Sequence, residues 1–183
     1  MTGHDHDDNH DHDHDHDRDH DHDQGDDHGD YAVERATLTK QPTLVLRGTI
    51  PATQVPAFMG SAFARVSQVA RADGIPISGP PFARVHPEGD RELTLEVGFP
   101  VSGVVLGQGE VKASHLPSGQ VLRTTHLGDY AGTARAHEAL TAFATQHGLH
   151  ASGDAWEVYL SEPDVAVPRT LVVLPVEAAQ AIS

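Results

Sequence analysis

Two stretches of the chain place their apolar residues three or four positions apart, which is the spacing of an amphipathic α-helix. They are residues 54–73 and residues 130–147, and each is followed directly by a glycine, Gly74 or Gly148. Glycine is common just beyond a helix C-terminus because it accepts a positive φ without strain. The pattern therefore predicts two helices. Their candidate N-caps are Thr53 and Asp129.

Alternating apolar and polar residues, the pattern of half-buried β-strands, surround both helices. The clearest example is residues 92–99, in which large apolar side chains occupy every second position. Residues 31–38 and 110–116 would add an opening strand to each half, and would turn back into the next strand through residues 41–42 and 117–119. Shorter strands are predicted at residues 43–50, 82–85, 121–126, 156–160 and 170–174.

The second half of this body repeats the first half. Residues 74–82 align with residues 148–156, with Gly and Ser at matching places. One such match could arise by chance, but three in the same order indicate a duplication. The other two matches are residues 97–101 with 172–176 and residues 45–49 with 121–125.

The repeated unit is strand-strand-helix-strand-strand, and two copies predict an α+β domain in which an antiparallel sheet carries two main helices. The domain is expected over residues 31–178, with halves at about 31–103 and 104–178. Residues 1–30 and 179–183 are expected to be tails. A duplicated fold is expected to place its ligand cleft between the halves, where domain junctions commonly bind ligands.

Composition divides the chain at residue 30. Residues 1–30 contain 13 Asp, nine His and one Arg, a formal charge of −12, whereas the whole chain carries −15, which leaves −3 for the body. A segment this polar cannot bury enough apolar surface to offset the entropy of ordering it, so the tail is predicted to be disordered. The acidic charge also argues against direct binding to nucleic acid, which Lys and Arg drive.

The tail alternates His with Asp, and imidazole is a good ligand for zinc, nickel and copper. Two interpretations are open: overlapping metal sites of modest affinity, or a tail that only confers solubility. No cofactor is expected to be required. The candidate metal ligands are His4, His6, His10, His12, His14, His16, His20 and His22.

Several classes of protein are excluded by what the sequence lacks. It contains no Cys, which excludes disulfides, thiol nucleophiles and zinc–thiolate sites. No apolar run approaches the ~20 residues needed to span a membrane, and the acidic N-terminus is not a secretory signal. The chain has no nucleophile elbow, phosphate loop or metalloprotease motif, so an enzyme is the less favoured interpretation. We therefore expect a soluble, cytoplasmic protein.

Comparison of the two halves singles out Glu157. It corresponds to Ala83, so the fold accepts alanine where the second half has a carboxylate in mid-strand. Strand alternation places Glu157 and Tyr159 on the same face. An acid beside a phenol ring suits an apolar cation, which it would bind through charge and ring stacking. Two alternatives stay open, in which Glu157 points to solvent or pairs with an arginine such as Arg84.

The body also contains a series of short motifs in a fixed order. They are Glu96-Val-Gly-Phe-Pro-Val101, Leu116-Pro-Ser-Gly119, His126-Leu-Gly-Asp-Tyr130, His147-Gly-Leu149, Trp156-Glu-Val-Tyr-Leu160 and Pro168-Arg-Thr170 to Leu174-Pro-Val176. Together they resemble the GyrI-like (gyrase-inhibitor-like) effector-binding family, which is also found as the ligand-sensing domain of AraC- and MerR-type bacterial regulators. The resemblance spans about residues 31–176.

The resemblance implies a tandem helix-on-sheet fold around a hydrophobic cleft with a central acid, and that acid falls on Glu157. It places Tyr159 and Trp156 in the same motif, and Tyr130 at the start of the second helix. Weaker candidates for the walls of the cleft are Phe58, Phe82 and Phe99.

Three functions are compatible with the resemblance. The leading one is a standalone module that binds or senses an apolar, cationic or planar small molecule, and that would act on transcription only through a separate regulator. The second is a hydrolase that opens reactive rings through the same acid, with Tyr159, His126 or His137 as a second group. The third is an accessory protein that modulates gyrase or handles metal through a partner.

Overall fold

A computed structural model describes residues 31–88, 92–162 and 164–180, and the candidate metal ligands of the tail lie outside these ranges. The elements are β1 (Glu34–Leu38), β2 (Gln41–Pro51), α1 (Val55–Ala72), β3 (Phe82–Glu88), β4 (Glu92–Pro100), β5 (Val111–Leu116), β6 (Gly119–Leu127), α2 (Thr133–Gln146), β7 (Leu149–Ala151), β8 (Trp156–Tyr159) and β9 (Arg169–Ala178). The strands pair antiparallel in the order β1-β6-β9-β8-β3-β4-β2-β5, with β7 beside β9. This architecture confirms the predicted α+β class.

The duplication is visible in the strand order. From the central β3–β8 pair, the sheet continues through β4, β2 and β5 on one side and through the equivalent strands β9, β6 and β1 on the other. Local hydrogen bonds repeat as well. The backbone N–H of Ser78 donates to the Pro100 carbonyl at 2.9 Å, and that of Ser152 donates to the Pro175 carbonyl at 3.0 Å. The two halves therefore meet at the centre of one continuous sheet.

The opening strand of each half pairs with the other half. β1 lies beside β6, and β5 lies beside β2. The predicted hairpins through residues 41–42 and 117–119 are therefore wrong: residues 41–42 already belong to β2, and β5 does not pair with β6. Turn residues signal a change of direction, but they do not specify which strand the chain then joins.

The helices end where the sequence predicts and begin later. Gly74 and Gly148 follow them with φ of 65° and 64°, which confirms the predicted termini. Neither helix has a side-chain cap, because Thr53 lies inside a 3-10 turn before α1 and Asp129 precedes a similar turn before α2. Within the described ranges, no helix is both long enough and apolar enough to cross a membrane.

Both faces of the sheet bury apolar side chains. α1 and α2 cover one face, where each helix packs on its own strands. On the opposite face Leu38 of β1 and Leu116 of β5 reach the same cluster, although these strands are at the two ends of the sheet, so the sheet curls around that cluster. The residues buried there are Val45, Phe82, Leu116, Val121, Trp156 and Val173.

Candidate functional site

Glu157 lies at the junction of the two halves, on the face that carries the helices. In the β3–β8 pair it is directly opposite Ala83. Tyr159, two residues further along β8, shares its face, as the alternation of a strand requires. Ala83 and Tyr159 both pack in the cluster beneath α1, while His137 of α2 reaches Glu157 from the other side. The carboxylate is thus positioned between the two helices.

Both oxygens of Glu157 accept hydrogen bonds from the protein. Nε2 of His137 donates to Oε1 at 3.0 Å, and the Tyr159 hydroxyl donates to Oε2 at 2.9 Å. Because an ionised carboxylate can only accept, the His137 proton lies on Nε2. The Thr133 hydroxyl lies beside the carboxylate, but its proton is donated to the Tyr130 carbonyl at 2.9 Å. The Glu157 side chain is 19% exposed, so neither of the open alternatives holds: it is not directed into bulk solvent and its partner is not Arg84.

These contacts determine the charge of the site. Burial raises the pKa of Glu157, but the hydrogen bonds from His137 and Tyr159 outweigh it and hold the pKa below its ordinary value. Burial, together with the charge of Glu157, raises the pKa of the Tyr159 phenol. At neutral pH the site therefore holds a carboxylate anion beside an intact phenol.

A row of aromatic rings lies next to the carboxylate. The ring of Tyr159 meets Tyr130 edge-on at a centroid distance of 5.5 Å and Phe63 at 6.0 Å. Phe63 in turn meets Phe99 at 5.7 Å. Tyr130 is 45% exposed and is the outermost of the four rings. The row thus runs from the surface beside α2 to the core beneath α1.

The structure brings together only part of the predicted site. Tyr159 and Tyr130 lie at Glu157, and Phe99 lies at the far end of the ring row. Phe58 of α1 packs in the core cluster between the helix and the sheet. Its ring lies over Gly48, so close that a Cβ atom on that glycine would come within 2.6 Å of it. Trp156 and Phe82 do not belong to the site, because they are fully buried on the opposite face.

Phe63, Thr133 and His137 contact the site but were not among the predicted ligand residues. Phe63 is one of several apolar residues in α1, and its sequence position does not separate it from core residues. Thr133 and His137 carry a signal that could have identified them. They are four residues apart in α2, so they share a helix face, and that face adjoins the buried stripe.

Four surface cavities of about 260 to 660 Å³ among the described residues are lined by residues other than Glu157 and the aromatic row. Beside Glu157, Tyr159 bonds the carboxylate through its hydroxyl, and its ring meets the half-exposed ring of Tyr130. Within the same ranges no three His, Asp or Glu side chains are grouped to hold a metal ion.

The sequence matches one family model. Residues 32–177 match the GyrI-like small molecule binding domain. None of the curated proteins matches the chain in sequence.

Solved structures share the fold at low sequence identity. The C-terminal domain of EcmrR is 17% identical, with a TM-score of 0.71 over 81% of this chain and 99% of that domain. In the EcmrR–DNA complex the similarity covers 58% of the EcmrR chain. A hydrolase from Listeria innocua is 17% identical, with a TM-score of 0.57 over 79% of this chain and 91% of its own. SAV2435 bound to tetraphenylphosphonium is 10% identical, with a TM-score of 0.53 over 81% and 94%.

Proposed function

Because the chain belongs to the GyrI-like small-molecule-binding family, we propose that it binds apolar, cationic or planar small molecules over Glu157. The observation that carries this proposal is the charged carboxylate between the helices, at a position where the first half has Ala83. An ionised acid that is largely removed from water is costly unless it is paired. A bound cation would lower that cost further.

The form of recognition follows from how Glu157 is held. Its oxygens already accept hydrogen bonds from His137 and Tyr159, so a ligand gains little by adding another donor. Coulomb attraction needs no such contact, and it is stronger in a partly desolvated site. The rings of Tyr159, Tyr130 and Phe63 can contribute apolar contact and cation–π attraction. Delocalised cations with apolar surfaces fit these properties.

Tyr130 would control access to this site. Its ring is half-exposed and stands edge-on to Tyr159, whose hydroxyl bonds the carboxylate. It belongs to the 3-10 turn before α2 rather than to the regular helix. Rotation of this ring away from Tyr159 would open a path to Glu157 without disturbing the sheet.

Tetraphenylphosphonium is a suitable probe, since SAV2435, which shares the fold, is known in a complex with it. We expect isothermal titration to show saturable binding of this cation by the wild type. The Glu157→Gln variant should bind it at least about tenfold more weakly. Glu177→Gln is the matched control: it also removes one charge from an acid bonded to a histidine, His150, but that acid is mostly exposed. Equal affinity in the wild type and Glu157→Gln would exclude recognition through this charge.

A hydrolase is the second candidate, and the contact between His137 and Glu157 favours it. A carboxylate bonded to imidazole at 3.0 Å can position water as a general base or return a proton to a leaving group. A structural neighbour from Listeria innocua is a hydrolase. The test is product formation from a strained-ring electrophile such as an epoxide. Turnover that persists unchanged in Glu157→Gln would exclude this role for the acid.

A further inference from the structure

The two halves also differ on the face of the sheet opposite the helices. There the side of the sheet formed by β1, β6, β9 and β8 is apolar: Ala36, Val158 and Leu171 pack around the buried aromatic residues. At the equivalent positions in the strand registers, the side formed by β5, β2, β4 and β3 has Ser114, Arg84 and Glu96. The fold therefore accepts hydrocarbon on one side where the other side has a charged cluster, which is the same kind of difference that distinguishes Glu157 from Ala83.

Glu96 is the centre of this cluster, and its side chain is fully buried. One of its oxygens accepts a hydrogen bond from Arg84, and the other accepts one from Arg47. Two guanidinium groups thus surround one carboxylate, and the cluster carries a net charge of +1. Replacing a buried ion cluster by apolar residues is often neutral or stabilising. Stability alone therefore does not explain why this one is present.

Arg47 connects the cluster to the surface. Its side chain is 55% exposed, whereas that of Arg84 is 14% exposed. Arg47 lines a surface cavity of about 540 Å³ together with Gly48, Thr49, His86 and Thr94. Glu96 restrains one side of the Arg47 guanidinium, and this group has five N–H donors in a planar fork, so donors remain for a ligand in the cavity.

Other polar groups beside the cavity have unused hydrogen-bonding capacity. The hydroxyls of Thr49 and Thr94 are 2.6 Å apart, so one donates to the other and the second proton is free. Nδ1 of His86 donates to Asp154 at 2.6 Å, so Nε2 of the neutral ring is an acceptor and is not a donor for an anion. Among the described residues, Nε of Arg84, in the adjoining ion cluster, is a buried donor without a hydrogen-bond partner. Buried donors without partners are uncommon and can be satisfied by a further acceptor.

We propose that this cavity binds a small oxyanion, a phosphate or carboxylate group, with Arg47 as its principal ligand. The fork of an arginine matches both anions and binds them through two parallel hydrogen bonds. The charge of the Arg47 guanidinium attracts the anion, and the free threonine hydroxyl adds a donor. Glu96 positions the guanidinium but does not touch the ligand. This site is separate from Glu157, which lies on the other face.

The test is an NMR titration of the full chain with sodium phosphate, and separately with sodium acetate, at an ionic strength fixed with sodium chloride. Saturable shifts are expected at the amides of Gly48, Thr49 and Thr94. The tighter of the two anions identifies the ligand class. Arg47→Gln should weaken binding about tenfold or more, because it removes the charge-assisted pair.

The chain offers matched controls. Arg123 also pairs with a glutamate, Glu34, and lines a different cavity, so Arg123→Gln should leave these shifts unchanged and their midpoint within about twofold. Arg47→Lys keeps the charge but loses the fork, so it should weaken binding as well. Glu157→Gln should have no effect on the anion, which separates this proposal from the proposed function. Shifts that do not saturate, or equal losses in Arg47→Gln and Arg123→Gln, would overturn the proposal.

Discussion

Glu157 faces Ala83 across the β3–β8 pair, and each of these two residues is the counterpart of the other in the duplicated halves. A local two-fold axis therefore passes between them. His137 of α2 and Phe63 of α1 are counterparts at the same offset of 74 residues, and both reach this place. One half thus contributes hydrogen-bonding groups and the other contributes an aromatic ring, so the site is asymmetric although the backbone is repeated.

Substitution can separate the hydrogen bond that Tyr159 donates to Glu157 from the contact that its ring would make with a ligand. Tyr159→Phe removes the hydrogen bond to Glu157 but keeps the ring, and we expect it to cost about 1.5–3 kcal/mol of unfolding free energy in urea. Affinity for tetraphenylphosphonium should change only severalfold, whereas Tyr159→Leu should reduce it further because cation–π attraction is lost. Tyr31→Phe, which removes the phenol bonded to His126, is the control. Equal affinities in the Phe and Leu variants would show that the ring is not used.

The lowered pKa of Glu157 predicts how stability depends on pH. A carboxylate whose pKa is lower in the folded state than in the unfolded state stabilises the fold. This contribution is complete above the unfolded-state pKa, about 4.3, and is lost as the pH falls through the folded-state pKa. The unfolding free energy of Glu157→Gln should therefore decrease less steeply below about pH 4.3 than that of the wild type. Urea unfolding across this range measures it, with Glu177→Gln as control. Parallel curves for wild type and Glu157→Gln would contradict the lowered pKa.

The Glu96 cluster predicts opposite outcomes for single and combined substitutions. Glu96→Gln leaves two arginines without their anion and should cost about 3–5 kcal/mol, whereas a triple variant that copies the apolar counterparts should be as stable as the wild type or more stable. Chemical unfolding of both variants measures this. A triple variant less stable than Glu96→Gln would show that the fold needs the cluster. The triple variant carries Arg84→Val, Glu96→Leu and Ser114→Ala, after Val158, Leu171 and Ala36.

The alternation of His and Asp in residues 1–30 predicts binding of zinc or nickel. A chain that begins at Tyr31 should lose the binding of zinc or nickel that isothermal titration detects for the full chain. In the full chain this binding should disappear in mild acid, because imidazole protonates near pH 6.5. Replacing the tail histidines by Asn is the matched control for length and polarity. Unchanged metal binding by the shortened chain would remove the tail from metal handling.

Much of the fold is readable from the sequence, because each of the two helices buries one regular stripe. The strand over residues 92–99 was predicted from its alternation, although its polar face is buried as well, at Thr94 and Glu96. The repeat is readable too, since glycines and aromatic residues recur at matching positions. The pairing of β1 and β5 with strands of the other half could not be predicted from the sequence. The alternation of residues within a strand shows which face is buried, but it does not show which strand lies alongside.

The candidate site was predicted in part. Tyr159, Tyr130 and Phe99 were predicted around Glu157, and His137 only as a second group of a hydrolase, whereas Phe63 and Thr133 were not predicted. Glu157 was identified because a mid-strand acid stands opposite an alanine in the repeat. Trp156 was predicted as a ligand contact from its motif, but strand alternation directs it to the opposite face, where it is buried. The ion cluster of Glu96 was not predicted. Arg47, Arg84 and Glu96 lie on three different strands, and only the pairing of those strands brings them together.

The most direct test of the account compares a cation with a neutral molecule of similar shape. Isothermal titration would measure methyltriphenylphosphonium and triphenylphosphine oxide against the wild type, Glu157→Gln and Glu177→Gln. The account predicts that Glu157→Gln weakens binding of the cation about tenfold or more, which is about 1.4 kcal/mol, and changes binding of the neutral molecule by less than about twofold. Equal losses for both ligands, or no loss for the cation, would contradict the claim that the charge of Glu157 recognises the ligand.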